Sequence, residues 1–128
     1  MTRQVRRIDV DDPDVDGDYG QRLLYKGELF TGEAEEHLAG RRVSVTTYTQ
    51  GIKDGPYRHW FASGVLQATG VMRSGFLAGE ALRWHENGVL AQRLLYSEDG
   101  HIALAAFAWD EKGAPVSAWV RPDAEEGD

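Results

Sequence analysis

GPYRHWFASGVLQATGVMRSG, residues 55–75, is followed by GEALRWHENGVLAQRLLYSEDG, residues 79–100, and the two are copies of one unit. Gly55 matches Gly79, Trp60 matches Trp84, Gly64 matches Gly88, Val65-Leu66 matches Val89-Leu90 and Met72 matches Tyr96, all at a spacing of 24 residues. A self-similar period of this length marks a repeat architecture. Weaker copies flank the pair. Upstream, GEAEEHLAGRRVSVTTY carries Gly32, His37, Gly40 and Tyr48 at the same places, one residue shorter in its first turn. Downstream, Trp109 precedes Gly113 by the same interval, but the equivalent of Gly79 is missing and His101-Ile102 lies nearby. Divergent end copies are expected, since a terminal repeat faces solvent on one side.

Each unit holds two short runs rich in aromatic, β-branched and aliphatic residues, separated by a glycine turn. Tyr57 to Ala62 leads through Ser63-Gly64 into Val65 to Arg73, and Leu82 to Glu86 leads through Asn87-Gly88 into Val89 to Tyr96. Asn-Gly between such runs is a strong hairpin signal, because a type I′ turn needs positive φ at both central residues. Lys112-Gly113 is a looser version. Gln50-Gly51 through Gly55 and Ser74-Gly75 through Gly79 are expected as longer turns between units, with glycine supplying left-handed backbone. HIALAAFAW, from His101, could be drawn as a short helix; bounding Gly100 and Gly113 and its register with the units above favour a strand. The expected fold is all-β: a curved antiparallel single sheet of β-hairpins, built from about four 24-residue units.

The chain of 128 residues reads as one domain, with an N-terminal strand and acidic loop over 1–21, hairpin repeats over 22–120 and a polar tail over 121–128. Arg3 to Val10 alternates enough for a strand, DDPDVDGD over 11–18 reads as an exposed loop, and Gln21 to Phe30 leads into the first repeat. The net charge of −7 argues against nucleic acid and anionic membrane as partners, since both recruit clustered Lys and Arg. It suits a basic protein partner. No cysteine is present, so neither a disulfide framework nor thiolate chemistry is expected. With no secretory signal and no 18-residue apolar run, a cytoplasmic location is expected.

The units resemble the MORN-type variant repeats of bacterial YwqK-like proteins, a family of antitoxins and immunity proteins. The residues that carry the resemblance are Gly55, Tyr57, Trp60, Gly64, Leu66 and Met72, then Gly79, Trp84, Gly88, Leu90 and Tyr96. It covers roughly residues 24 to 120. It implies a sheet built hairpin by hairpin, no cofactor, no catalytic residue, and a cognate protein toxin as partner. A structural or scaffolding repeat module, self-associating as a homodimer, is the alternative.

Chemistry-bearing residues are sparse. Asp12-Pro-Asp14-Val-Asp16-Gly17-Asp18 matches the opening of a calcium loop, but the twelfth position, where an EF-hand places a bidentate Glu, is Leu23. A solvated acidic loop is the simpler reading. His59 and His85 flank the repeat tryptophans and are expected on the opposite face, His37 replaces a tryptophan, and His101 lies in a turn; none has metal-site spacing. Ser44, Ser63, Ser74, Ser97 and Ser117 lack any nucleophile motif, so neither catalysis nor a metal is expected. Gly55, Trp60, Gly64, Gly79, Trp84, Gly88, Trp109 and Gly113 are the structural repeat positions. The tryptophans should form a ladder that ties the hairpins together, each burying about 150–250 Å².

Partner contacts should sit where the copies differ: Arg58, His59 and Phe61 in one unit, Arg83, His85 and Glu86 in the next. Val65, Val71, Val89 and Leu95 are expected on one face, Leu66, Met72, Leu90, Leu94 and Tyr96 on the other. Both faces of a single sheet would then be partly apolar, which calls for a partner or a second copy.

Overall fold

The computed structural model describes residues 5–122, so Arg3 and most of the polar tail lie outside the described residues. Among these residues every regular element is a strand. Four short ones come first: β1 (Arg7–Asp9), β2 (Val15–Gly17), β3 (Leu23–Tyr25) and β4 (Glu28–Leu29). Eight follow: β5 (Gly32–Leu38), β6 (Arg41–Thr49), β7 (Ile52–Trp60), β8 (Leu66–Arg73), β9 (Phe76–Trp84), β10 (Leu90–Tyr96), β11 (Ala103–Trp109) and β12 (Pro115–Val120). β5 to β12 form one antiparallel meander that does not close into a barrel, with β1 added in parallel beside β5. β2, β3 and β4 make a second, three-stranded sheet, so β2 falls inside the stretch expected to be loop. Ala103–Trp109 is a strand, as its register with the units requires.

The hairpins are where the repeat predicts them, but the turn types are exchanged. Two-residue turns with positive φ at both positions include Lys26-Gly27 and Ala39-Gly40, and also Gln50-Gly51 and Ser74-Gly75, the connections expected to be long. Around Asn87-Gly88 only Gly88 has positive φ: Gly88 N–H donates to the His85 carbonyl and His85 N–H to the Val89 carbonyl. This is a type I turn closed by a left-handed glycine, the three-residue class of hairpin loop. The Phe61–Val65 and Asp110–Ala114 loops repeat both bonds. The asparagine serves through its side chain, accepting from Val89 N–H and donating to the Glu111 carbonyl of the next hairpin.

Gly55 and Gly79 also sit elsewhere than expected. They lie inside β7 and β9, at breaks in the register with β6 and β8. A Cβ on Gly55 would stand 2.9 Å from Thr47 Cγ2, so the bulge is closed against its neighbour strand. Bulges repeated at such places increase local twist and bend the sheet. Further breaks between Leu66 and Ala68 and between Leu90 and Gln92 reset the side-chain alternation, which puts Leu66 and Leu90 opposite Trp60 and Trp84. They do not share a face with Met72 and Leu94, contrary to simple alternation.

Trp60, Trp84 and Trp109 end β7, β9 and β11 and are half-buried. Among the described residues their rings do not stack on each other. Two strand spacings, about 10 Å, separate equivalent positions, too far for direct ring contact. Arg42 lies over Trp60, and Phe107 stacks with Trp109 at 6.3 Å.

The core is small and divided. Within the meander the buried side chains are alanines: Ala68, Ala78, Ala81 and Ala105. Phe30, the one large side chain fully buried among the described residues, packs with Ile8 and Ala34 against Val10, Val15, Leu23, Tyr25 and Tyr48. The three-stranded sheet thus covers one end of one face of the meander. Ile8, Ala34 and Thr46 are successive cross-strand partners on that face, and the same row continues uncovered through Tyr57.

Candidate binding face

The row that starts in the core runs on to a groove where the cover stops. Side chains alternate along strands, and directly paired residues share a face. Tyr57 pairs with Thr46 and Gly70, His59 with Ser44 and Ala68, Ala68 with Arg83, and Ala81 with Leu94. The groove, about 210 Å³, has a floor of Ala68, Met72, Leu77, Ala81 and Leu94 and walls of Tyr57, His59, Lys53, Arg83 and Thr46. Alanine and glycine make the depression: Gly70 lies beneath Tyr57, where a Cβ would meet the phenol oxygen at 2.6 Å.

Of the six residues expected to contact a partner, the groove brings together His59 and Arg83. They occupy equivalent places in successive units, and Ala68 of the intervening strand bridges them. Arg58 projects from the other face, paired with Val45 and Thr69. Phe61 and Glu86 belong to turns, and His85 Nε2 stands 2.8 Å from the Trp109 carbonyl, tying one hairpin to the next. Lys53, Tyr57, Met72, Leu77, Ala81 and Leu94 were absent from that set; stepping across the hairpins from His59 would have found most of them.

Among the described residues no carboxylate lines the groove. Its two cations, Lys53 and Arg83, make no ion pair among the described residues, although the chain carries 21 acidic residues against 14 basic ones. Burial, with Lys53 and Arg83 nearby, holds the His59 imidazole below its ordinary value, against the pull of Glu36. Tyr57, whose ring is 5.3 Å from that of His59, is pushed up by burial. A depressed histidine favours the neutral form in the folded state, so its contribution to stability is present above the ordinary value and lost as pH falls through the folded one. Thermal midpoints of wild type and His59→Gln, compared from about pH 7.5 to about pH 5, should therefore shift in favour of the variant below pH ~6.5. A gap that stays constant with pH would mean that His59 titrates alike folded and unfolded.

The acidic loop is self-satisfied. Asp12 Oδ1 accepts from Asp14 N–H and Asp16 Oδ1 from Gly17 N–H. Asp18 is held below the usual carboxylate range by the Arg22 backbone amide and is paired with the Arg22 guanidinium at 2.7 Å. Among the described residues no three His, Asp or Glu side chains converge as a metal site. No helix among the described residues is long and apolar enough to cross a membrane.

No protein family, no curated protein and no solved structure matches this chain.

Proposed function

We propose that this is a non-catalytic protein-binding repeat protein that acts in the cytoplasm as an antitoxin or immunity protein, holding a cognate toxin on the uncovered half of its sheet. One observation carries this reading. The face that the three-stranded sheet buries at its N-terminal end continues, without cover, as the apolar groove between β7 and β10. A sheet face with an apolar floor and a polar rim matches the anatomy of protein interfaces. The net charge of −7 would speed encounter with a partner that is basic overall.

A second reading, a self-associating scaffold, is favoured by the free edge at β12. All six of its residues are exposed, Val116, Trp119 and Val120 among them. Arg121 N–H bonds to the Leu104 carbonyl, so the register turns Arg121, Trp119 and Ser117 toward β11 and leaves the amide and carbonyl of Ala118 and Val120 pointing outward. An edge of this kind pairs with another strand unless it is blocked. Pro115 and the bulge before Ser117 shorten it.

The test is reconstitution. A captured partner should form a 1:1 complex with the wild type and with Arg58→Glu, altered on the opposite face, and lose it with Leu94→Arg, a change in the groove. For an antitoxin, the partner alone should arrest growth and co-expression should restore it. Recovery of the bait alone, as a dimer dispersed by Trp119→Lys, moves the weight to the scaffold.

A further inference from the structure

We propose that the groove between β7 and β10 is an anchor site for a protein segment that presents an aromatic or aliphatic side chain beside an Asp or Glu, the apolar group seated on the alanine floor and the carboxylate held by Lys53 and Arg83. The inference rests on the protein-binding reading and supplies the partner's chemistry.

Charge is the first argument. In a chain of net charge −7, a depression with two cations on its walls and, among the described residues, no lining carboxylate and no ion pair to either cation is electrostatically unfinished. Four other arginines carry ion pairs: Arg7 with Glu33, Arg22 with Asp18, Arg42 with Glu35 and Arg93 with Glu80. Glu36, the acidic residue felt by His59, lies outside the groove and is engaged by Ser44 Oγ. A carboxylate placed beside Lys53 or Arg83 would make a charge-assisted bond that none of the described residues supplies.

The floor decides what accompanies the charge. Ala68, Met72, Leu77, Ala81 and Leu94 offer no polar side-chain atom, and Met72 adapts to differently shaped apolar groups. Tyr57 and His59, whose rings are 5.3 Å apart and tilted by 53°, form one wall.

Size decides between a free small acid and a segment of a protein. At about 210 Å³ and open along one side, the groove is below the ~300–1,000 Å³ in which pockets enclose a small ligand. A small acid would leave much of its surface wet and bind weakly. The same group on a chain gains contacts along the rest of the uncovered face, as interface anchors do.

His59 supplies a direct reporter. Burial holds its imidazole low, with Lys53 and Arg83 adding to the effect, so an anion that offsets these two charges acts to raise it. The experiment is an NMR titration of the full chain with acetyl-Gly-Asp-Phe-Gly-amide at millimolar concentration, beside peptides in which Asn or Lys replaces Asp and one in which Ala replaces Phe. The Asp-Phe peptide should move the resonances of Met72, Ala81 and Leu94 and raise the His59 midpoint. The three controls should bind at least about five-fold more weakly, and Arg83→Gln should abolish the preference for Asp over Asn; Arg83 is exposed, so this variant folds. Equal shifts from the Asp, Asn and Lys peptides, an unmoved His59 midpoint, or shifts confined to another surface would overturn the proposal. A partner that binds wild type and Arg83→Gln equally, yet is lost with Leu94→Arg, would overturn the anchor and leave the protein-binding reading standing.

Discussion

Phe30→Ala should cost about 3–5 kcal/mol, the range for emptying a large aromatic site in a packed interior. Phe30 is 1% exposed and is the one large side chain fully enclosed among the described residues. It meets Tyr25 edge-on at 6.2 Å, lies under the Arg6 guanidinium, and shares its cluster with Ile8 and Ala34. The alanines that fill the rest of the core cannot move far enough to close such a void. Against a typical total stability of about 5–15 kcal/mol, the loss is a large share. Urea unfolding followed by tryptophan fluorescence and far-UV circular dichroism measures it. A loss below about 1 kcal/mol would mean that the three-stranded sheet hardly contributes to stability.

Gly51→Ala should destabilise by roughly 2–3 kcal/mol, and Gly75→Ala by about 1, although both glycines occupy the second position of the same kind of turn. Gly51 has φ of 79° and Gly75 of 90°, so both variants bear the left-handed backbone cost. The surroundings differ. A Cβ on Gly75 would come no nearer than 3.8 Å to Ile52 Cγ2. One on Gly51 would stand 2.9 Å from the Leu23 carbonyl oxygen and 2.9 Å from Arg22 Cβ. Gly51 also donates its N–H to the Phe30 carbonyl and accepts from Leu23 N–H, both at 2.8 Å, so any shift that relieves the clash breaks the tie between the two sheets. Matched melts of the two variants isolate that tie. Equal losses would show that turn strain alone is at work.

The repeat made the meander readable, because a strand of nine residues, one of seven or eight and their turns fill one 24-residue period. Turn types were not readable. Asn87-Gly88 and Ser63-Gly64 suit a type I′ turn locally, yet the bulges in β8 and β10 set the register so that only the glycine takes positive φ. Gln50 and Ser74 adopt left-handed backbone in turn, because the strands they join leave room for only two residues. The same bulges moved Leu66 and Leu90 away from the face that unbroken alternation assigns them. His59 and Arg83 were legible as a pair of equivalent positions, and the pairing of β7, β8 and β9 makes them neighbours. His85 had the same standing in the sequence but bonds a backbone carbonyl of the next hairpin.

By itself, the sequence determined that the chain forms antiparallel hairpins in register with its repeat, because alternation and glycine placement are local and recur every 24 residues. Only the tertiary structure decided where the cover ends. Leu23, Leu29 and Phe30 read as the approach to a first repeat, yet β2, β3 and β4 pair with each other and lie against one end of the meander. That arrangement depends on contacts between residues distant in the chain, such as Leu23 N–H to the Gly51 carbonyl, which no local pattern encodes. It is also what divides one continuous row of side chains into a buried core at Ile8 and Ala34 and an open groove beside Tyr57.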